Sequence, residues 1–190
     1  MGNALSKPAT GASIIVCPLD SLPDVLSQHR RARLVTFASP GNTPSDIISG
    51  NVISDHLALE FNDIPAPRDG YLAPTAAHVE QLISFIQDWR SDVPLVLNCW
   101  MGISRSTAAA AIALARLRPD LTGTHIGKAL REAGPSATPN PLMIAHADGL
   151  LDRGGTLIQG IKAIGRGAEA HSGSVFSLDP TAIGALRPHG

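Results

Sequence analysis

Two kinds of apolar pattern run along the chain: short continuous runs, and longer stretches with helical spacing. Ala12–Cys17 and Leu34–Ala38 are continuous runs of strand length, and Val93–Leu97 is another, with Pro94 tolerable at a strand's start. Val52–Phe61 alternates irregularly and is expected to hold a further strand ending near Leu59-Glu60-Phe61. Helical spacing begins at Leu22–Arg30, where Val25, Leu26 and His29 share a face behind the capping pair Asp20-Ser21. Pro74-Thr75 opens a long amphipathic helix to about Arg90, with Val79, Leu82, Ile83, Phe85, Ile86 and Trp89 on its apolar side. Arg105–Leu117 reads as an alanine-rich helix that stops before Pro119, and Thr124–Glu132, Pro141–Leu151 and Thr156–Ile164 follow as helices. Strands come early and in the middle while helices dominate late. That order predicts an α/β domain over residues 12–164, a central mostly parallel sheet flanked by helices.

The flanks differ in texture. Residues 1–11 are polar and punctuated by Gly and Pro, a loose leader. From Gly165 to Gly190 the chain is rich in Gly, Ser and Ala without period, which predicts a flexible tail. The basic cluster His29-Arg30-Arg31-Ala32-Arg33 suits a helix C-terminus with a solvated face.

Composition narrows the function classes. With 44% apolar and 16% charged residues, the 190-residue chain can bury a core. Its net charge of −1 gives no field for non-specific nucleic-acid binding, so any anion recognition is expected to be local. No apolar run reaches a membrane span, and no secretory signal is expected. Met1-Gly2-Asn3-Ala4-Leu5-Ser6, with Lys7 behind it, matches the short template for N-myristoylation, a pattern that also arises by chance. Two cysteines, Cys17 and Cys99, make no disulfide framework and point to a reduced, cytoplasmic setting. Cys17 is expected to pack in its strand; a disulfide with Cys99 requires that folding bring the two together. His56, His78, His125 and His146 lack paired metal-ligand spacing, so structural or surface roles and no metal are expected.

The chemistry concentrates in Pro94–Thr107. A buried strand runs into Cys99, then a glycine-bearing loop, Arg105, Ser106 and a helix. Loop amides and the positive end of a helix dipole form a ready anion site, and Arg105 adds a planar fork that grips phosphate in two places. A free thiol is mostly protonated at neutral pH, and a helix N-terminus and a guanidinium both favour the thiolate. The combination points to thiolate attack on a phosphoryl group.

Cys99-x5-Arg105-Ser106, within Cys-Trp-Met-Gly-Ile-Ser-Arg-Ser-Thr, resembles the signature loop of the protein tyrosine phosphatase superfamily, and Gly-Ile-Ser-Arg-Ser is especially like its dual-specificity branch. The likeness spans roughly residues 12–155. It implies Cys99 as nucleophile, Arg105 as phosphate clamp, Ser106 as hydrogen-bond donor to the sulfur, and a loop of Trp100, Met101, Gly102, Ile103 and Ser104 around the phosphate. It further implies a general acid on a loop upstream of the cysteine. Asp63 in Phe61-Asn62-Asp63-Ile64 is the matching carboxylate; Asp69 is the alternative, and Asp55 the weaker one. Pro139-Asn140 resembles a pair that the family places before its last helix, where the Asn braces the signature loop or caps the helix. Where the family has histidine before the cysteine, this chain has Asn98, an amide that hydrogen-bonds but cannot become cationic, so turnover slower than the family norm is expected.

The resemblance thus implies a cofactor-free hydrolase of phosphate monoesters, with phosphotyrosine and also phosphoserine or phosphothreonine of proteins or peptides as substrates. The uncharged loop argues against polyphosphorylated substrates, which related enzymes meet with loop lysines. Two alternatives stay open: a phosphate-binding module with little or no turnover, and a phosphatase of a small phosphorylated metabolite.

Overall fold

The computed structural model of the chain describes residues 13–44, 52–89, 92–184. The loose leader and the myristoylation-like pattern lie outside the described residues, as does the end of the expected tail.

Five strands form one sheet: β1 (Ile14–Pro18), β2 (Ala32–Ala38), β3 (Ile53–Glu60), β4 (Leu95–Cys99) and β5 (Phe176–Leu178), in the order β3-β2-β4-β1-β5. The first four are parallel, and β5 lies antiparallel against β1. The strand–helix alternation read from the apolar pattern produces this α/β layout, since parallel neighbours need crossovers. Residues of β1, β2 and β4 are buried on both faces, and their alternation divides two cores. Ile14, Val16, Val35, Phe37, Leu95 and Leu97 face the larger core, while Ile15, Cys17, Leu34 and Val96 face a smaller one under α1 (Leu22–Ser27).

The larger core is covered by α2 (Ala76–Gln87), α3 (Arg105–Leu117), α4 (Gly123–Ala133), α5 (Pro141–Leu150) and α6 (Thr156–Ala163). Helix α3 is central, with every residue from Arg105 to Ala115 buried, and its alanines leave room for neighbours on all sides. Capping sets the other starts. Thr75 and His78 form a capping box on α2, and Thr122 and His125 form one on α4. His146 bonds the Pro74 carbonyl, so three of the four sequence-noted histidines serve the helices. No helix of the described residues is long and apolar enough to cross a membrane.

Four expectations need correction. Helix α1 ends at Ser27 rather than Arg30 because Ala32 and Arg33 already belong to β2. Arg33 is buried, ion-paired to Asp55 at 3.2 Å and stacked 4.1 Å over Phe85, so the end of the basic cluster is core rather than solvated face. The signature strand runs to Cys99 itself, which pairs with Phe37 and Pro18, rather than stopping at Leu97. Most consequential, the segment after Gly165 is no loose tail through its described part. It carries β5 and returns across the signature loop.

Candidate active site

Strand β4 delivers Cys99 at its C-terminal end, and α3 begins six residues later at Arg105. Between them Trp100–Ser104 form a loop whose carbonyls point outward. Leu19 N–H donates to the Trp100 carbonyl (3.3 Å), Gly173 to Met101 (2.8 Å), Thr138 to Ile103 (2.9 Å) and Asn140 to Ser104 (3.4 Å). The loop's own amides from Trp100 to Ser104 donate to no backbone carbonyl among the described residues. With four carbonyls held by other segments and its amides left without backbone acceptors, the loop is suited to cradle an anion, continued by the N-terminus of α3. Gly102 makes the curl possible. Its φ is +66°, and a Cβ there would lie 2.6 Å from the Pro18 nitrogen.

At the floor of the cradle Cys99 is 2% exposed, its Sγ 3.1 Å from Ser106 Oγ. Arg105 is buried and oriented by an Nη1–H bond to the Phe61 carbonyl at 2.9 Å. Its Nε has no hydrogen-bond acceptor among the described residues and lies 3.8 Å from Asp63 Oδ2. A buried guanidinium with a donor left open is matched to an anion that docks there.

Asp63 reaches the cradle rim from the loop after β3. Its Oδ1 accepts from Ser104 Oγ at 2.7 Å and from Asn140 Nδ2 at 2.8 Å. The alternatives lie elsewhere. Asp55 is committed to Arg33, and Asp69 sits in the Asp69-Gly70 turn, lining neither cleft at the cradle. Trp100 is 66% exposed at the mouth, and with Met101 it lines a cleft of about 390 Å³ that reaches Arg105 and Asp63. Ile103 and Ser104 line a second cleft of about 330 Å³ on the other side of Asp63.

Asn98 is 1% exposed on the sheet face opposite Cys99. Its Oδ1 accepts from Thr36 Oγ1 at 2.9 Å, and Thr36 in turn lies 3.0 Å from His56 Nε2. Burial lowers the pKa of His56, favouring its neutral ring. The two cysteines are both free. They cannot bridge as placed, because Cys17 aligns with Asn98 and faces the smaller core while Cys99 faces the larger one. The Cys17 thiol is pushed up to about 12, by burial first and then by Cys99 and Asp20.

Some contributors carry no local sequence signal. Thr36 lies in an ordinary strand, and Gly173 and the wall Arg166–Ala170 of the second cleft lie in the presumed tail. The Cys99–Ser106 spacing with Asn98 before it, the Asp63 loop and the Pro139-Asn140 pair do carry such a signal.

A model of protein-tyrosine-phosphatase-like phytases, described by inositol hexakisphosphate, matches residues 25–114. No curated protein matches the chain in sequence. Among solved structures, the Yvh1 phosphatase domain from Chaetomium thermophilum is similar, with 18% identity, coverage of 73% of this chain and 90% of that one, and a TM-score of 0.51. DUSP15 is similar at 16% identity over 78% of this chain and 89% of that one, with a TM-score of 0.54. Tk-PTP in its active form is similar at 17% identity over 72% and 88%, with a TM-score of 0.50. At these identities the likeness concerns the fold. The chain therefore shares the fold of these phosphatases and carries its Cys99-x5-Arg105-Ser106 loop between β4 and α3.

Proposed function

We propose that the protein hydrolyses phosphate monoesters through a cysteinyl-phosphate intermediate. The observation that carries this is the loop from Cys99 to Arg105: its amides lack backbone acceptors, Arg105 Nε is open and 3.8 Å from Asp63, and Ser104 ties the loop to Asp63. The Cys99 thiolate attacks phosphorus, an S–P bond forms, and the P–O bond to the leaving group breaks. The Asp63 carboxyl gives its proton to the departing oxygen. Arg105 and the loop amides stabilise charge on the equatorial oxygens. In the second step the Asp63 carboxylate takes a proton from water, which attacks the phosphorus. The S–P bond then breaks, with the Ser106 hydroxyl donating to the departing sulfur.

Protein phosphotyrosine, with phosphoserine or phosphothreonine beside it, is the substrate class we favour. The loop residues between Cys99 and Arg105 carry no charge to meet extra phosphates, and Trp100 offers an aromatic face at the mouth. A small polyphosphorylated metabolite is the second reading. It is favoured by the inositol hexakisphosphate description of the matching family model and by Arg166, a cation in the adjoining cleft where a second phosphate would meet it.

Turnover of p-nitrophenyl phosphate is the direct test. Cys99→Ser is expected to lower kcat at least about 10³-fold and Arg105→Lys at least about 10²-fold. Binding of inorganic phosphate with no turnover by the unmodified chain would instead leave a phosphate-reading module, the reading that Asn98 invites. Rates on phosphotyrosine peptides against inositol hexakisphosphate then separate the two substrate classes.

A further inference from the structure

Asp63 is held by two donors from two distant parts of the chain, and both act on the same oxygen. Ser104 Oγ and Asn140 Nδ2 both donate to Oδ1, at 2.7 and 2.8 Å. Asn140 is 2% exposed, and its whole side chain is committed. Its second amide proton goes to the Ile64 carbonyl at 3.1 Å, and its Oδ1 accepts from Leu142 N–H and Met143 N–H at 3.1 and 3.2 Å, capping α5. These partners fix which end of the amide is which: two backbone amides demand its oxygen, and a carbonyl demands its nitrogen. The Asn140 N–H also meets the Ser104 carbonyl at 3.4 Å, so acid loop, signature loop and α5 close into one ring of hydrogen bonds.

Resting on the reading of Asp63 as general acid, we infer that Asn140 and Ser104 are positioning residues that decide which carboxyl oxygen carries the catalytic proton. A carboxyl oxygen that accepts two hydrogen bonds has its in-plane lone pairs occupied and cannot also bear the proton. The proton therefore sits on Oδ2, the oxygen on the Arg105 side, 3.8 Å from Nε and on the way into the cradle. Rotation about the carboxyl bond would exchange the two oxygens, and the clamp forbids it at the cost of two hydrogen bonds. After transfer to the leaving group, the same oxygen is bare and aimed where the attacking water must give up a proton. One oriented oxygen thus serves both steps, and Oδ1 remains a hydrogen-bond acceptor throughout.

The arrangement predicts an effect that depends on the leaving group. Asn140→Ser keeps a hydroxyl for the α5 cap but is too short to reach Asp63. Ser104→Ala removes the other donor and leaves the cap untouched, so it serves if the first variant folds poorly. We read kcat/KM, which covers the steps up to leaving-group departure, for p-nitrophenyl phosphate and for an alkyl phosphate. Each variant is expected to lose about 10-fold more on the alkyl phosphate than on the nitrophenyl ester. In an Asp63→Asn background, adding Asn140→Ser is expected to cost less than about 2-fold on either substrate, because the acid it positions is gone. Equal losses on both substrates, or full additivity with Asp63→Asn, would overturn the clamp while the acid assignment stands. If Asp63→Asn itself shows no leaving-group dependence, the acid assignment falls and the clamp with it.

Discussion

Cys17 and Cys99 stand on neighbouring strands and meet opposite circumstances. Cys99 opens onto an anion cradle, whereas Cys17 is sealed under α1, where ionisation would leave a charge without water. Its thiol is raised from 9.0 to about 12, so the folded state keeps a proton that the unfolded chain releases. The sign follows. This residue's contribution to stability is full below about pH 9 and is lost as pH rises toward about 12. Urea denaturation of the protein should therefore show stability falling across that window, and Cys17→Ala should flatten the fall. Asn98 illustrates a different compromise. The amide is tied to β2 through Thr36, yet its Nδ2 is buried without an acceptor among the described residues. Such a group costs about 1–3 kcal/mol when left unpaired. The amide thus holds the entry to the signature loop through one oxygen only.

Helices α4 and α6 meet through glycine. A Cβ on Gly160 would come within 2.0 Å of the Gly123 carbonyl carbon, and one on Gly123 within 1.9 Å of the Thr156 oxygen. These backbones touch, so Gly160→Ala must push the helices apart despite its better helix propensity. A loss of about 1–3 kcal/mol is expected, read as a lower midpoint in thermal denaturation. Elements of this length were legible beforehand. Helix α3 was read with its observed bounds, and the ends of α2, α4, α5 and α6 shift by no more than a few residues, because helical periodicity over ten residues is hard to imitate. Phe176-Ser177-Leu178 is the counter-example. Three residues of alternation in a Gly/Ser-rich stretch carry too little pattern, and only the open edge of β1 makes them a strand. The Asp63 loop stands out in the sequence, but its hydrogen bond from Asn140 does not. The two residues lie 77 positions apart and meet only through the fold.

At the scale of the molecule, the C-terminal strap is tied in at several points. Arg131 bonds the carbonyls of Ile164 and Gly165, Gly167 N–H meets Thr138 Oγ1, Ala168 N–H meets the Pro135 carbonyl, and Gly173 holds Met101. A chain ending at Ile164 loses all of these ties except that to Ile164 and uncovers β1. We expect a melting temperature at least about 5 °C lower and kcat/KM on p-nitrophenyl phosphate about 10-fold lower or more. Unchanged values for both would make the strap dispensable.

The held carbonyls of the signature loop have a consequence for the order of folding. They are gripped by Leu19 from before the loop in sequence, and by Thr138, Asn140 and Gly173 from after it. A chain emerging from the ribosome exposes Cys99 and Arg105 long before the last of these anchors exists. Domains of this size mature as units. The signature loop is therefore held on all sides only after the segment carrying Gly173 has folded back onto it.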